Sequence, residues 1–240
     1  VTALITALAD PTGDYTVANI PVAQGQIPGG CAGGWTLVIV YENPQLTGKL
    51  ITTFDGFAQV AGTNEVNIDY NGFTTIPSGT VKFDLGAAAL EGDYRLDDDF
   101  MSIRAAQNTP VPDDGSGFSP LSDGENPADN FFNSNISLRG IPLPGRTPSS
   151  ANTLGFDADI VRNNFGNSMI PNNETAATFK FGTDGDRYYP FFNSFNIEII
   201  EPKIVLEKEV WDPPELNNLT GLGVNLGANL KYILSFENIE

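Results

Sequence analysis

The chain has 240 residues, with 30 acidic against 12 basic side chains, a formal net charge of −18 and no histidine. This excess of negative charge excludes DNA or RNA as an expected partner, because phosphate recognition needs clustered cations. The lack of histidine excludes triads and dyads based on imidazole, and most zinc sites. The single cysteine, Cys31, cannot form an intramolecular disulfide, so packing, a metal or neighbouring domains must supply stability.

Neither a membrane helix nor a signal peptide is visible in the sequence. No apolar stretch approaches the roughly 20 residues that a membrane helix needs. The opening "VTALITALADPTG" has no basic n-region and no cleavage pattern. Because the chain begins in strand-like sequence and stops at "LSFENIE", we expect it to be part of a longer polypeptide.

The first apolar run is "GGWTLVIVYENPQLTGKLITTFDGF", residues 33–57. Its β-branched and aromatic residues between Gly34 and Pro44 favour a buried strand, and "KLITTFDGFAQV" predicts the partner strand across an "NPQLTG" turn. The run predicts the central hairpin of the core. We expect these side chains to be largely buried: Trp35, Val38, Val40, Phe54 and Phe57.

The same pattern of short strand-forming segments continues downstream. "NEVNIDYNGF" and "GTVKFDLGAAAL" alternate apolar and polar residues, and "FMSIRA", "NTLGFDADIV", "TAATFKFGTD" and "NSFNIEIIEP" extend the pattern. Only short stretches such as "LGAAALEG" or "PADNFFNSN" could hold a helical turn. The sequence therefore predicts an all-β fold, an antiparallel β-sandwich or jelly roll over residues 1–201.

Residues 105–153 break this pattern. They are rich in Pro, Gly, Ser, Asp and Asn and carry few periodic apolar residues. We expect a long loop excursion from the sandwich. Its aromatic residues Phe118, Phe131 and Phe132 favour an ordered flap docked on the sandwich, because a disordered linker rarely contains three phenylalanines.

The acidic residues of this excursion are the candidate calcium ligands. Hard cations take six to eight oxygen ligands, and the glycines of "PDDGSGFSPLSDGEN" permit close backbone approach. The candidate ligands are Asp113, Asp114, Asp123 and Glu125. Their spacing is not that of an EF-hand, and a hydrated acidic loop is the alternative interpretation. The turns "RLDDDF" and "TDGDRYY", with Asp97–Asp99 and with Asp184 and Asp186, are weaker candidates.

Two other residue pairs suggest a catalytic or a sugar-binding site. Asp157 and Asp159 in "GFDADI" share one strand face about 7 Å apart, which superficially fits the two carboxylates of a glycosidase. We interpret them instead as the solvent side of a sandwich strand. Tyr188 and Tyr189, with Phe191 and Phe192, are a candidate platform for stacking on sugars, and the alternative is that two of these four rings point into the core.

Residues 202–240 begin another unit. "KIVLEKEV" and "GANLKYILSFEN" predict a strand pair, which is too few strands to close a sheet. The segment resembles the start of the Ig-like repeats of bacterial surface proteins, in which Pro, alternating apolar residues and Lys precede a Gly and an "L-x-Y-x-L-x-x-x-N" strand. The matching positions are Pro202, Ile204, Leu206, Lys208, Gly227, Leu230, Tyr232, Leu234 and Asn238.

A second resemblance covers much of the remaining chain. "GWTLVIVYENP" to "FDGF", "NTLGFDADIV" and "TDGDRYYPFFNSFNIEI" resemble the amino-terminal β-domain that often precedes such repeats in very long secreted bacterial proteins. These include the gliding-motility and adhesion proteins of Bacteroidota exported by the type IX system. The resemblance implies a location at the bacterial cell surface and carries over no catalytic residue.

Together these features lead to a functional expectation. We expect a non-enzymatic, extracellular adhesin or component of a surface fibre or filament, with calcium as the candidate cofactor. Its expected partners are other domains of the same long chain, neighbouring subunits or surface glycans. The alternatives are a carbohydrate-binding module of a secreted protein and, third, a glycosidase-like sandwich.

Overall fold

The computed structural model describes residues 5–28, 30–106, 117–162, 166–199, 204–214 and 216–238. The chain divides into two compact units, Val1–Ile199 and Ile200–Glu240. The fold is all-β, as predicted. Among the described residues, no helix is long enough and apolar enough to cross a membrane.

Twelve strands and one short 3₁₀ turn, Gly166–Ser168, make up the regular structure of the described residues. Gly and Pro separate them at turn spacing, as the sequence pattern indicates. The strands are β1 (Lys49–Asp55), β2 (Val60–Ala61), β3 (Val66–Asn71), β4 (Phe83–Leu90), β5 (Asp99–Ala105), β6 (Ser119–Pro120), β7 (Ile136–Leu138), β8 (Phe156–Arg162), β9 (Ala176–Thr183), β10 (Arg187–Glu198), β11 (Ile204–Trp211) and β12 (Lys231–Asn238).

The first unit is a sandwich of two sheets. The six-stranded sheet has the order β1-β10-β4-β8-β7, with β2 also paired to β10, and the four-stranded sheet has the order β3-β9-β5-β6. Neighbouring strands are antiparallel except β7 and β8, which are parallel. The alternation of apolar side chains along these strands builds one core between the sheets.

An aromatic cluster forms the centre of this core. The Phe195 ring of β10 stacks on Tyr70 of β3, with 4.6 Å between the ring centroids. Phe73 and Phe83 lie 5.4 and 5.8 Å from the same ring. Contacts between rings in tilted and offset arrangements add to the free energy of apolar burial, so this cluster joins the two sheets.

The small-residue run of β4 is a strand and not a helical turn, so the possibility of a helical turn in "LGAAALEG" was wrong. β4 pairs with β10 on one side and β8 on the other, and its residues from Phe83 to Ala89 are buried. Small side chains let the neighbours approach closely: a Cβ on Gly86 would lie 2.4 Å from Ser194 Oγ. Pairing on both sides satisfies the backbone and overrides the helix propensity of alanine.

The prediction that residues 33–57 form the core hairpin was wrong. Residues 33–48 adopt no strand, and β1 is an edge strand that pairs only with β10. The side chains expected to be buried are instead exposed: Trp35 41%, Val38 44%, Val40 63%, Phe54 39% and Phe57 68%. The inner faces of both sheets are already filled by residues 60–197, so this apolar run has no core surface left to cover.

The excursion is ordered where the structure describes it, as predicted. Phe118, Phe131 and Phe132 are buried. Phe132 packs against Tyr188 of β10 with 4.6 Å between the ring centroids. Residues 117–153 also contribute the short strands β6 and β7, whereas residues 107–116 lie outside the described residues.

The second unit contains the strand pair predicted from the sequence. β11 and β12 are antiparallel, with a register that runs from Ile204 opposite Asn238 to Trp211 opposite Lys231. The Lys208 ammonium lies 4.7 Å from the Tyr232 ring centroid on one face of this hairpin. Two strands form only half of a sandwich, and a two-stranded sheet alone is marginally stable.

Truncating single side chains to alanine should distinguish core residues from residues of the exposed apolar run that precedes them. We expect Phe195→Ala to lower the free energy of unfolding by about 3–5 kcal/mol, because it removes a completely buried ring. The control Ile39→Ala, at an exposed position, should change it by less than about 0.5 kcal/mol. Denaturant titration of both variants measures the difference, and equal losses would contradict this assignment of the core.

Candidate functional site

Asp157 and Asp159 are buried inside the sandwich, with exposed fractions of 0% and 3%. They stand opposite Ala89 and Ala87 of β4, on the same face of β8 as the core residue Val161. The interpretation of this face as the solvent side was therefore wrong. Alternation correctly placed both carboxylates on one face, but that face is the one that lines the core, together with Val161.

The parallel pairing of β7 with β8 supplies hydrogen-bond donors to both carboxylates. The Asn135 backbone N–H donates to Asp157 Oδ1 at 2.9 Å. The Ser137 N–H and hydroxyl donate to Asp159 Oδ1 at 3.0 and 2.7 Å. The register places Ser137 beside Asp159, so backbone geometry fixes these donors.

Asn126 and Asp123 complete the group from the excursion. Asn126 Nδ2 donates to Asp123 Oδ1 at 3.1 Å and to Ser137 Oγ at 2.9 Å. Asn135 Nδ2 donates to Asn126 Oδ1 at 2.8 Å. We call this set the inner acidic cluster: Asp123, Asn126, Asn135, Ser137, Asp157 and Asp159.

Four oxygens of the inner acidic cluster are buried without a hydrogen-bond partner. They are Asp123 Oδ2, Asn135 Oδ1, Asp157 Oδ2 and Asp159 Oδ2. No Lys or Arg of the described residues pairs with these aspartates, since the ion pairs there go to Asp84, Glu65 and Glu198. A buried carboxylate without a counter-charge costs several kcal/mol, so the cluster must acquire positive charge from a proton or a cation.

Burial raises the pKa of both β8 aspartates. It raises the pKa of Asp159 to about 7, and the nearby Asp123 charge adds to the rise while the Ser137 hydrogen bonds oppose it. Burial likewise raises the pKa of Asp157 well above its ordinary value, and the charge of Asp159 raises it further. Without a cation, protons are therefore held in this cluster near neutral pH.

A second acidic group forms where β5 begins and β9 ends. The pairing of Asp99 with Thr183 brings together the two weaker turn candidates, and the Asp184 N–H donates to the Asp98 carbonyl at 3.1 Å. Burial raises the pKa of Asp99 to about 7, and the charges of Asp186 and Asp93 add to the rise. We call this set the rim acidic cluster: Asp93, Asp98, Asp99, Asn130 and Asp186.

The structure places the predicted calcium ligands in different surroundings. Asp123 belongs to the inner acidic cluster, whereas Glu125 contacts it through its backbone: its N–H donates to Asp123 Oδ1 at 3.1 Å and its carbonyl accepts from Asn135 Nδ2 at 3.4 Å. Asp113 and Asp114 lie outside the described residues. Within the described ranges, no three Cys, Asp or Glu side chains are arranged to hold a metal ion by themselves. A cation would therefore also need amide, hydroxyl or carbonyl oxygens.

The two tyrosines proposed as a sugar platform differ in accessibility. Tyr188 is completely buried and its hydroxyl donates to the Gly182 carbonyl at 3.1 Å, so it cannot stack on a sugar. The core alternative holds for this residue. Tyr189 is partly exposed and stacks on Phe57 with 5.5 Å between the ring centroids.

An open cleft of about 610 Å³ lies beside the rim acidic cluster. Its lining includes Glu91, Asp93, Tyr94, Arg95 and Asn152. Tyr94 is 51% exposed, and the Arg95 guanidinium lies 5.6 Å from its ring centroid. Sequence reasoning did not single out this cleft, because its residues come from segments about 60 positions apart.

The chain matches no protein-family model, no curated protein and no solved structure. The resemblance to surface-protein domains thus stays a prediction. Three features of the structure bear on function: the buried aspartates, the cleft and the exposed hairpin.

The buried aspartates predict an unusual dependence of stability on pH. An aspartate with an ordinary pKa of 3.8 when unfolded and about 7 when folded keeps its proton longer in the folded state. Between pH 4 and 7 the folded state then binds more protons, so the free energy of unfolding falls as pH rises. The slope is up to about 1.4 kcal/mol per pH unit for each such group.

Denaturant titration in cation-free buffer measures this slope, and Asp159→Asn should reduce it. Asp84 does not contribute to this slope between pH 4 and 7. Burial raises its pKa, but the hydrogen bonds from Arg162 and Arg139 outweigh burial and lower the pKa below its ordinary value. Stability that is constant or rises from pH 4 to 7 would contradict the burial of ionisable carboxylates.

Proposed function

We propose that the chain is a non-enzymatic structural or adhesive module of a bacterial cell-surface protein, working outside the cell. The observation that carries the proposal is the exposed apolar face of the β11–β12 hairpin. The resemblance of this segment to Ig-like repeats supports the same function.

One face of the hairpin is mostly apolar. Alternation and register put six apolar side chains on it beside Lys208: Ile204, Leu206, Val210, Tyr232, Leu234 and Phe236. Leu206 and Phe236 stand opposite each other and are 68% and 79% exposed. The other face is mixed and carries both charged and apolar residues: Val205, Glu207, Glu209, Trp211, Lys231, Ile233 and Glu237.

An apolar sheet face of this kind is normally covered in the functional protein. In this proposal, further strands of the same polypeptide cover it and complete an Ig-like sandwich. Strand donation by a neighbouring subunit is the rival arrangement, and it would extend the protein into a fibre. In both arrangements the hairpin joins the chain to a larger surface structure.

The burial of Asp157 and Asp159 supports a non-enzymatic function. A glycosidase needs its two carboxylates to face a cleft that the substrate enters. Here both side chains are buried, and one oxygen of each accepts a hydrogen bond from the backbone N–H of Asn135 or Ser137. A substrate would have to displace the excursion to reach them.

The cleft beside Tyr94 favours carbohydrate binding as a second candidate function. A half-exposed aromatic ring flanked by Arg95 and by acidic and amide side chains offers both a stacking surface and hydrogen-bonding groups. We expect any glycan-array signal to be lost in Tyr94→Ala and kept in Tyr41→Ala, whose ring is exposed elsewhere on the chain. Equal signals from both variants would exclude the cleft as the glycan site.

The hairpin proposal predicts self-association through the apolar face. In light scattering over a wide concentration range, the 240-residue chain should gain apparent mass as its concentration rises. The double variant Leu206→Glu and Phe236→Glu should remain monomeric, because charges on that face oppose apolar contact. The control Leu226→Glu alters an exposed leucine outside the strands and should associate like the wild type.

A strictly monomeric wild-type chain would exclude strand donation by a neighbouring subunit and leave completion by the same polypeptide as the arrangement. Location is tested separately by protease treatment of intact source cells. We expect peptides of this chain to be released without cell lysis, and their release only after lysis would overturn the cell-surface proposal.

A further inference from the structure

The inner acidic cluster concentrates oxygen atoms that the protein itself leaves without partners. Asp157 and Asp159 are more than nine-tenths buried, and each has one oxygen that accepts no hydrogen bond. The same is true of Asn135 Oδ1, and Asp123 Oδ2 is buried beside them. These atoms come from two separate segments, the excursion and β8, which meet at Asn126.

Asn126 shows how the two segments converge. Its Nδ2 donates to Asp123 Oδ1 and to Ser137 Oγ, and the Ser137 hydroxyl in turn donates to Asp159 Oδ1. These two bonds use both hydrogens of the Asn126 amide. The second oxygens of Asp123 and Asp159 have no hydrogen-bond partner, and Asn126 and Ser137 link the two residues.

We propose that the inner acidic cluster binds one divalent cation of the calcium class, with the Asp123 and Asp159 carboxylates as its principal ligands. Two carboxylates balance the charge of a divalent ion. Calcium takes six to eight oxygens in flexible geometry, and amide, hydroxyl and backbone carbonyl oxygens are all ordinary ligands for it. Magnesium requires a stricter octahedral arrangement and retains water, which this enclosed mixture of oxygens suits less well.

Asp157 does not bind the ion directly. A Cβ on Gly92 would lie 2.1 Å from Asp157 Oδ2 and 2.5 Å from the Phe132 carbonyl. This oxygen therefore packs against the backbone of Gly92.

The test uses the whole 240-residue chain after chelator treatment, titrated with calcium chloride in a calorimeter. About 0.15 M salt screens the exposed carboxylates of this acidic protein. We expect one calcium ion per chain and a melting temperature that rises with calcium concentration. Asp159→Asn and Asp123→Asn should each weaken calcium binding by at least about tenfold. The control Asp55→Asn makes the same charge change on an exposed strand residue and should bind like the wild type.

A readout without calcium separates a lost ligand from a damaged fold. Asp159→Asn replaces a buried carboxyl group that lacks a counter-ion by a neutral amide, so in cation-free buffer this variant should melt at or above the wild-type temperature. Asp123 is partly exposed, so Asp123→Asn provides a second variant that keeps the sandwich intact. A variant that folds normally and no longer responds to calcium supports the proposal.

Three results would overturn it. The first is the absence of calcium binding by the wild type. The second is unchanged binding by both Asp159→Asn and Asp123→Asn. The third is loss of binding in Asp93→Asn alone, which would place the ion in the rim acidic cluster. None of these outcomes bears on the hairpin, so the cation site and the proposed surface function fail independently.

Discussion

The burial of two carboxylates on the inner face of β8 is the constraint around which one side of the sandwich is organised. Asp157 and Asp159 lie on the face of β8 that lines the core, together with Val161. The excursion docks there through Phe131 and Phe132, and its strand β7 pairs beside β8. Enclosed carboxylates then require donors, and Asn135 and Ser137 provide them.

This requirement explains how a segment with the composition of a linker becomes ordered. Residues 117–153 contain too few apolar side chains to form a core of their own. Two phenylalanines anchor the segment in the core of the sandwich, and amide and hydroxyl groups bind it to the aspartates of β8. The conformational entropy lost on ordering is offset by contacts that only this fold supplies, so the excursion depends on β8 as much as β8 depends on it.

Strand positions could be predicted from the sequence because they depend on local pattern. Burial could not be predicted where a distant segment decides which side chains are covered. Alternation located β3, β4, β5, β8, β9 and β10, because period two is a property of the strand itself. It also placed Asp157 and Asp159 on one face, but which face is buried depends on the opposite sheet and on the docked excursion. The composition of residues 33–57 was correctly identified as apolar, but whether a sheet face remains for them depends on every other strand. The two turns of the rim acidic cluster were named from the sequence, but that they meet could not be predicted, because they come together only when β5 pairs with β9.

A cation in the inner acidic cluster would connect the fold to its proposed surroundings. Calcium sites of extracellular modules bind with dissociation constants of about 10⁻⁴ to 10⁻³ M, whereas intracellular sensors bind far more tightly. A ligand that binds only the folded state stabilises it by RT ln(1 + [L]/Kd), so a weak site contributes almost nothing where free calcium is scarce. A sandwich with unpaired buried carboxylates would then be less stable before export, and calcium binding would make it more stable outside the cell. Stability would follow location, because the ion that balances Asp123 and Asp159 would be abundant only there.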